Sequence, residues 1–190
     1  MPTALHLHSA YSLLDGVPTP EQLAEQGAAL GYSALALTDH NAVYGPSLAR
    51  SCQAQSIQPI IGAELTIGGL IADRPAHLTL LAMNAVGYGN LCRLITQAHA
   101  RRPDAQAGDA YSDEIMLDGQ HLAEHTQALD GLICLSGCLD HGPVAQLVRA
   151  RRFDQAAQMA QGLAELFPGR FYLELQRQYR RSDWRITASW

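Results

Sequence analysis

A chain of 190 residues, 47% hydrophobic and 16% charged, is long enough to bury a real core and too apolar to be disordered. The net charge is -5 and all thirteen basic residues are arginines, which excludes general attraction to nucleic acid and makes any DNA contact local. No apolar run approaches the roughly 20 residues a bilayer needs, and Met1 to His8 has neither a basic start nor a long apolar stretch. A cytoplasmic protein with no membrane partner is therefore expected.

Ala4 to His8 reads as a first strand. In His6-Leu7-His8 the two imidazoles fall on one side of an extended chain, because side chains alternate, so both can reach one ion. The segment Ser9 to Pro18 is a loop over the strand ends and carries Asp15, which on the residues alone is a turn former before Gly16 as readily as a ligand. Thr19-Pro20-Glu21-Gln22 predicts a helix start, with Thr19 as N-cap, proline in the first turn and Gln22 completing a capping box. This helix should stop at Gly31, and Ala24, Gly27 and Ala28 give it a small-residue face for close packing on a sheet.

Ser33 to Thr38 is an apolar strand without clean alternation, as expected where helices cover both faces, and Asp39 and His40 stand at its end. A helix follows near Ser47 to Gln55, then a strand from Ile57 to Leu65 bearing Glu64 near its end. Repeated strand-helix units predict a parallel sheet or barrel, which collects ligands at the carboxyl edges of its strands. Gly68-Gly69 predicts a turn, His77 to Met83 a strand and Tyr88 to Ala98 a helix. His99, His121 and His125 sit in polar surroundings and are expected to face solvent, and Ala100 to Asp113, with Arg101-Arg102, reads as an exposed loop. Gly131 to Ser136 is a further strand, Val144 to Ala150 and Phe153 to Phe167 are amphipathic helices, and Phe171 to Leu175 is a last strand.

Imidazole and carboxylate donors suit zinc, manganese or iron, so the stretch from His6 to Glu64 predicts a divalent-metal site. The four cysteines, Cys52, Cys92, Cys134 and Cys138, have no C-x-x-C spacing and are expected to be reduced. Cys138, just past a buried strand, reads on its own as a small apolar filler.

Thr3 to Ser9, Tyr11-Ser12-Leu13-Leu14-Asp15-Gly16, Ala36 to His40, Pro59 to Glu64, His77 to Ala82, Gly87 to Leu91 and Gly131 to Cys138 occur in one order and register. Together they resemble the polymerase and histidinol phosphatase (PHP) domain, as found at the amino terminus of the bacterial DNA polymerase III alpha subunit and error-prone polymerases. The resemblance covers residues 3–176 and leaves 177–190 as a divergent tail. It implies an α/β fold, an incomplete, distorted (βα)7 barrel with parallel strands and outer helices.

Carried onto this chain, the family's metal ligands are His6, His8, Asp15, His40, Glu64, His77 and Cys138, with Asp15 and His40 as the catalytic pair and Asp39 behind them as an orienting carboxylate. The family's closing D-x-H pair, which supplies two further ligands, has no counterpart after Gln176. The resemblance implies two or three divalent metals in complete members and phosphoester hydrolysis of the 3'-5' exonuclease type, within a parent that synthesises DNA in replication or repair. Expected partners are DNA, further polymerase domains and replisome subunits. A free-standing phosphatase of the histidinol phosphate type, or a non-catalytic module that self-associates through an open barrel edge, are the alternatives.

Overall fold

A computed structural model describes residues 2–72, 74–100 and 115–176. The predicted loop 100–113, its Arg101-Arg102 pair and the tail 177–190 lie outside the described residues, apart from Ala100 at the end of a helix. Among the described residues seven strands are joined by hydrogen bonds: β1 (Thr3–Ala4), β2 (Ala34–Leu37), β3 (Gln58–Ile71), β4 (Arg74–Ala82), β5 (Leu117–Asp118), β6 (Leu132–Leu135) and β7 (Phe171–Tyr172). The sheet runs β1-β2-β3-β4-β6-β7, with β5 paired to the far end of β3. The helices are α1 (Pro20–Ala29), α2 (Gly45–Ala54), α3 (Ala85–Ala100), α4 (Gly119–Glu124), α5 (Pro143–Arg149) and α6 (Phe153–Leu166).

α1 starts as its sequence predicts: Thr19 and Gln22 form a reciprocal capping box and Gly31 follows the helix at φ 74°. Its small face permits close approach, since a Cβ on Gly27 would lie 2.6 Å from Leu35 Cδ1. Leu35 and Leu37 pack with Ala24, Leu48, Cys52 and Ile57 in a cluster beneath α1 and α2. A larger cluster joins Leu65, Ile67, Leu78 and Leu80 to Leu91 and Leu94 of α3, Leu147 of α5, Leu163 of α6 and Phe167. Each fully buried side chain of this size contributes about 1.5–3 kcal/mol from removal of apolar surface from water.

The α/β half-barrel is as expected, but three local expectations change. Strands β1-β2-β3 are parallel, whereas β3–β4 and β4–β6 are antiparallel. The reason lies in connection length: only residues 72 and 73 separate β3 from β4, and a parallel return needs a crossover of about a dozen residues. The Gly68-Gly69 pair is not the turn; it falls inside β3, where the register shifts between Ile67 and Ile71 and Gly69 takes φ 76°. Helices also cover only one face of β2. Its other face, at Ala36, meets Leu81, Leu135, Ile60 and Ile133 on the inner wall of the curl.

Alternation on the β3–β4 hairpin builds the functional face. Ala63, Leu65 and Ile67 with Ala76, Leu78 and Leu80 turn towards the helices. Glu64 pairs with Thr79 and Thr66 with His77, so these four polar residues turn the other way, into the curl. The sheet bends far enough for its two edges to meet through side chains: His6, beyond β1, touches Glu174, beyond β7.

Candidate metal centre

Past Ala4 the first strand loses its ladder but not its extended form. Thr38 N donates to Leu7 O at 2.9 Å, and the Thr38 hydroxyl accepts from Leu7 N at 3.1 Å. Leu7 thereby faces the α1–α2 cluster while His6 and His8 share the opposite side, their ring centroids 5.0 Å apart. Asn41, at φ 49°, fixes the next turn: its N–H donates to Glu64 O at 2.8 Å and its side chain pairs with Thr66, which sets His40 beside Glu64.

Glu64 is the centre of the cluster. Its side chain is 2% exposed, with Oε1 2.6 Å from His77 Nδ1 and 3.1 Å from His40 Nδ1, and Oε2 2.8 Å from His6 Nε2. The last pair is close without the alignment of a hydrogen bond, so Oε2 is buried with no hydrogen-bond partner among the described residues. His6 Nε2 also faces His8 Nε2 at 3.0 Å. Atoms that converge in this way, aimed past one another, fit an arrangement of donors around a cation.

The loop 9–18 brings Asp15 over the rim, where Oδ2 lies 3.0 Å from His40 Nε2 and 3.5 Å from His8 Nδ1. Buried Asp39 holds that loop. It accepts from Ser9 N at 2.7 Å, Ser9 Oγ at 2.8 Å and Ser12 Oγ at 2.6 Å, and Ser12 in turn contacts His8 Nδ1 and His40 N. Gly16 is required at the crossing, because a Cβ there would meet Ser9 O at 1.8 Å. Three overlapping donor groups result, His6-His8-Glu64, His8-Asp15-His40 and His40-Glu64-His77, each with its ligand atoms within 4.8 Å of one another.

The electrostatics follow from this packing. Burial disfavours a charged His6, but the hydrogen bond to Glu174 and the adjacent Glu64 carboxylate outweigh it and raise its pKa to about 10. His40 is raised on the same balance, burial against Glu64 and Asp15. His8 moves down, mainly by burial and the neighbouring imidazoles. Burial opposes the charge on Glu64, yet the imidazoles of His40, His6 and His77 around it hold it far below the usual carboxylate range.

Of the residues singled out from sequence, His6, His8, Asp15, His40, Glu64 and His77 all meet here, and Asp39 stands behind them. Cys138 lines the same recess of about 450 Å³ but belongs to none of the three close groups; its sulfur accepts from His141 N at 3.4 Å. Glu64 does not terminate its strand. It lies in mid-β3, at the point where β2 leaves and the bridge to His40 forms.

Sequence reasoning passed over Glu174, bound to His6 Nδ1 at 2.8 Å, and His141, stacked on His77 at 4.7 Å between ring centroids. An acid inside the apolar run Phe171 to Leu175, and the Cys138-x-x-His141 spacing, are the signals that mark them. His121 is half-buried rather than solvent-facing, bound to Gln97 Oε1 at 2.9 Å, while exposed His99 bonds Asn41 O.

A family model described as the PHP domain matches residues 4–178. The chain belongs to the PHP domain family. This PHP domain is 43% identical over 177 residues to an error-prone DNA polymerase of Symbiobacterium thermophilum, a match that covers 90% of the chain and 16% of that polymerase. It is 36% identical over 183 residues to the DNA polymerase III subunit alpha of Treponema pallidum, covering 90% of the chain and 15% of the relative. The chain thus spans about a sixth of the length of these curated relatives. It is a PHP domain homologous to the amino-terminal region of such polymerases. Among solved structures, an amidohydrolase from Chromobacterium violaceum aligns with TM-score 0.44 and 25% identity, over 53% of this chain and 34% of that one. No helix among the described residues is long and apolar enough to cross a membrane.

Proposed function

We propose that this PHP domain binds divalent cations at the cluster around Glu64 and hydrolyses phosphoesters there, as part of a DNA polymerase of the replicative or error-prone type. The observation that carries the reading is Glu64: a buried carboxylate approached by three imidazoles, with one oxygen left without a hydrogen bond. His6, His8, Glu64 and His77 would hold one cation; Asp15 and His40 would complete a second at the rim; Cys138 is a further donor on the same wall. Imidazole, carboxylate and thiolate together favour zinc, manganese or iron over calcium or magnesium. When bound, such ions lower the pKa of water and stabilise charge on a leaving oxygen.

The chain's own residues divide the remaining work. Glu64 joins two of the donor groups and fixes His40 and His77 against each other. His40, between Asp15 and Glu64, is placed to hold or pass a proton at Nε2 on the rim of the recess. Asp39 keeps loop 9–18 in position, and Glu174 orients His6 from behind. The DNA-synthesising activity, DNA itself and further polymerase domains or replisome subunits are assigned to the longer parent.

The test is metal content by elemental analysis, with hydrolysis of p-nitrophenyl phosphate by the wild type and by His8→Ala. Retained metal and metal-dependent turnover in the wild type, both reduced in the variant, are expected. Equal, near-zero metal in both proteins rejects the reading.

A second reading, a platform for other parts of a polymerase, draws on one observation. Between β1 and β7 lies an apolar slot of about 770 Å³, walled by Leu5, Ile60, Leu81, Ile133, Leu173 and Leu175. Three of these, Leu5, Leu173 and Leu175, are exposed. Further polymerase chain packed into the slot would cover them; sedimentation as a dimer would assign the slot to self-association instead.

A further inference from the structure

The wall of the metal recess changes character at one place. Leu13 and Leu14 line it from loop 9–18; among the described residues every other part of the wall is a histidine, an acid, Cys138 or Gln176. Leu13 is 83% exposed and Leu14 wholly so. They are the central pair of a turn in which Ser12 O accepts from Asp15 N at 3.1 Å and from Gly16 N at 2.9 Å, so the rim carboxylate of Asp15 follows them directly.

This turn carries an unfavourable residue. Leu14 sits third in it at φ 68°, where glycine or asparagine is usual because a Cβ is crowded by the neighbouring carbonyl. An exposed leucine in that conformation adds nothing to the core, and backbone strain gathers where a segment meets a ligand. The display is also fixed. Ser12, just before the leucines, is buried and donates to Asp39 Oδ1 at 2.6 Å, Gly16 crosses Ser9 O too closely for any Cβ, and Tyr11 stacks on Tyr44 with ring centroids 4.3 Å apart. The leucines are therefore held over the recess before a ligand arrives, which lowers the entropic cost of contact with it.

We infer that Leu13 and Leu14 form an apolar lip that selects the organic group of the phosphoester, favouring a flat, apolar face next to phosphorus over a polyhydroxylated one. The inference rests on the phosphoesterase reading of the cluster and deepens it by assigning the residues that set specificity. Phosphoryl oxygens belong with the imidazoles and carboxylates of the recess, which leaves the organic group against the leucines. Leucine offers no hydrogen bond, so an alcohol rich in hydroxyls would lose water there without replacement, whereas a ring face sheds only apolar hydration. A tenfold preference is about 1.4 kcal/mol, or about 55 Å² of apolar surface at about 25 cal/mol per Å², well within the area of a phenyl group.

The experiment titrates the metal-loaded full chain by calorimetry with phenylphosphonate and methylphosphonate, whose phosphorus–carbon bonds are not hydrolysed, and with orthophosphate. The wild type should bind phenylphosphonate at least tenfold more tightly than methylphosphonate. In Leu13→Ser/Leu14→Asn that ratio should fall below threefold, with orthophosphate affinity within twofold of the wild type. Val17→Ser, as exposed and on the same loop but outside the recess wall, should keep the full ratio. Leu14→Asn alone should melt no lower than the wild type, because asparagine takes this backbone conformation more readily, and that separates a selective role from a structural one. Equal metal content verifies the site in each variant, and the single variants, each with the ratio reduced about threefold, replace the double one if it fails to fold. Equal affinity of the wild type for the two phosphonates, an unchanged ratio in the double variant, or the same loss in Val17→Ser overturns the inference while binding of orthophosphate leaves the phosphoesterase reading standing. No binding of orthophosphate or of either phosphonate by the metal-loaded wild type rejects the phosphoesterase reading, and the lip with it.

Discussion

Glu64→Gln tests the centre of the site with almost no change in shape. The Glu64 side chain is 2% exposed and its carboxylate faces three imidazoles at 2.6 to 3.1 Å, so the amide leaves buried groups without their counter-charge. Breaking a buried pair costs about 3–5 kcal/mol; histidines can shed their protons in response, which reduces the loss to about 2–3 kcal/mol here. For a chain of this size that corresponds to a fall of about 4–12 °C in Tm without metal. Metal should amplify the difference. At a free cation concentration of 1,000 Kd the wild type gains about 4.1 kcal/mol from binding, and a variant with a 100-fold weaker site gains only about 1.4. Thermal melts of both proteins with and without zinc or manganese, together with calorimetric titration, measure both quantities. An equal metal-induced rise in Tm in Glu64→Gln and the wild type would refute Glu64 as a shared ligand.

Further outcomes follow from the same geometry. Gly16→Ala places a methyl group 1.8 Å from Ser9 O and should displace loop 9–18, costing about 1–3 kcal/mol and removing the ion held through Asp15, read as lower metal stoichiometry at unchanged helical content by circular dichroism. Cys138→Ser should weaken metal binding about tenfold while leaving the metal-free Tm within a few degrees, because the thiol lines the recess outside the close donor groups. The metal-free and metal-loaded chains should diverge with pH. His6 is raised from 6.5 to about 10, so its contribution to stability is complete below 6.5 and is lost as pH rises towards 10. A cation must displace that proton, so binding tightens over the same range and releases protons at pH 7. Calorimetry in buffers of different ionisation enthalpy reads the release, and buffer-independent heats would contradict it.

How much was legible in the sequence depends on the range of the interaction concerned. α1 was readable to its capping box because Thr19, Pro20 and Gln22 act within one turn. The histidines of the centre were legible because alternation in His6-Leu7-His8 is a local rule. The direction of β4 was not, although the short step from Ile71 to Arg74 carried the information: strand pattern says nothing of direction, and the glycines at 68 and 69 drew the turn to the wrong place. Glu174 was hidden for a different reason. Its partner His6 is 168 positions away, and only the curl of the sheet brings the edges together.

That meeting of edges ties the chemistry to the architecture. The donors of the close groups come from the ends or inner faces of β1, β2, β3 and β4, with Asp15 added by loop 9–18, so no single loop carries the site. His6 links Glu64 in mid-sheet to Glu174 at the far edge, and β1 and β7, two residues each, contribute little ladder of their own. A cation bound at Glu64 would therefore pull the first edge towards the middle, and Glu174 would carry that restraint to the last. Hydrogen exchange should detect this. Backbone amides of 34–38 and 132–136 should gain protection on metal addition in the wild type. In Glu174→Gln, which keeps every donor of the three close groups, the gain at 34–38 should persist while that at 132–136 shrinks. Equal gains in both proteins would show that the edges are held by packing alone.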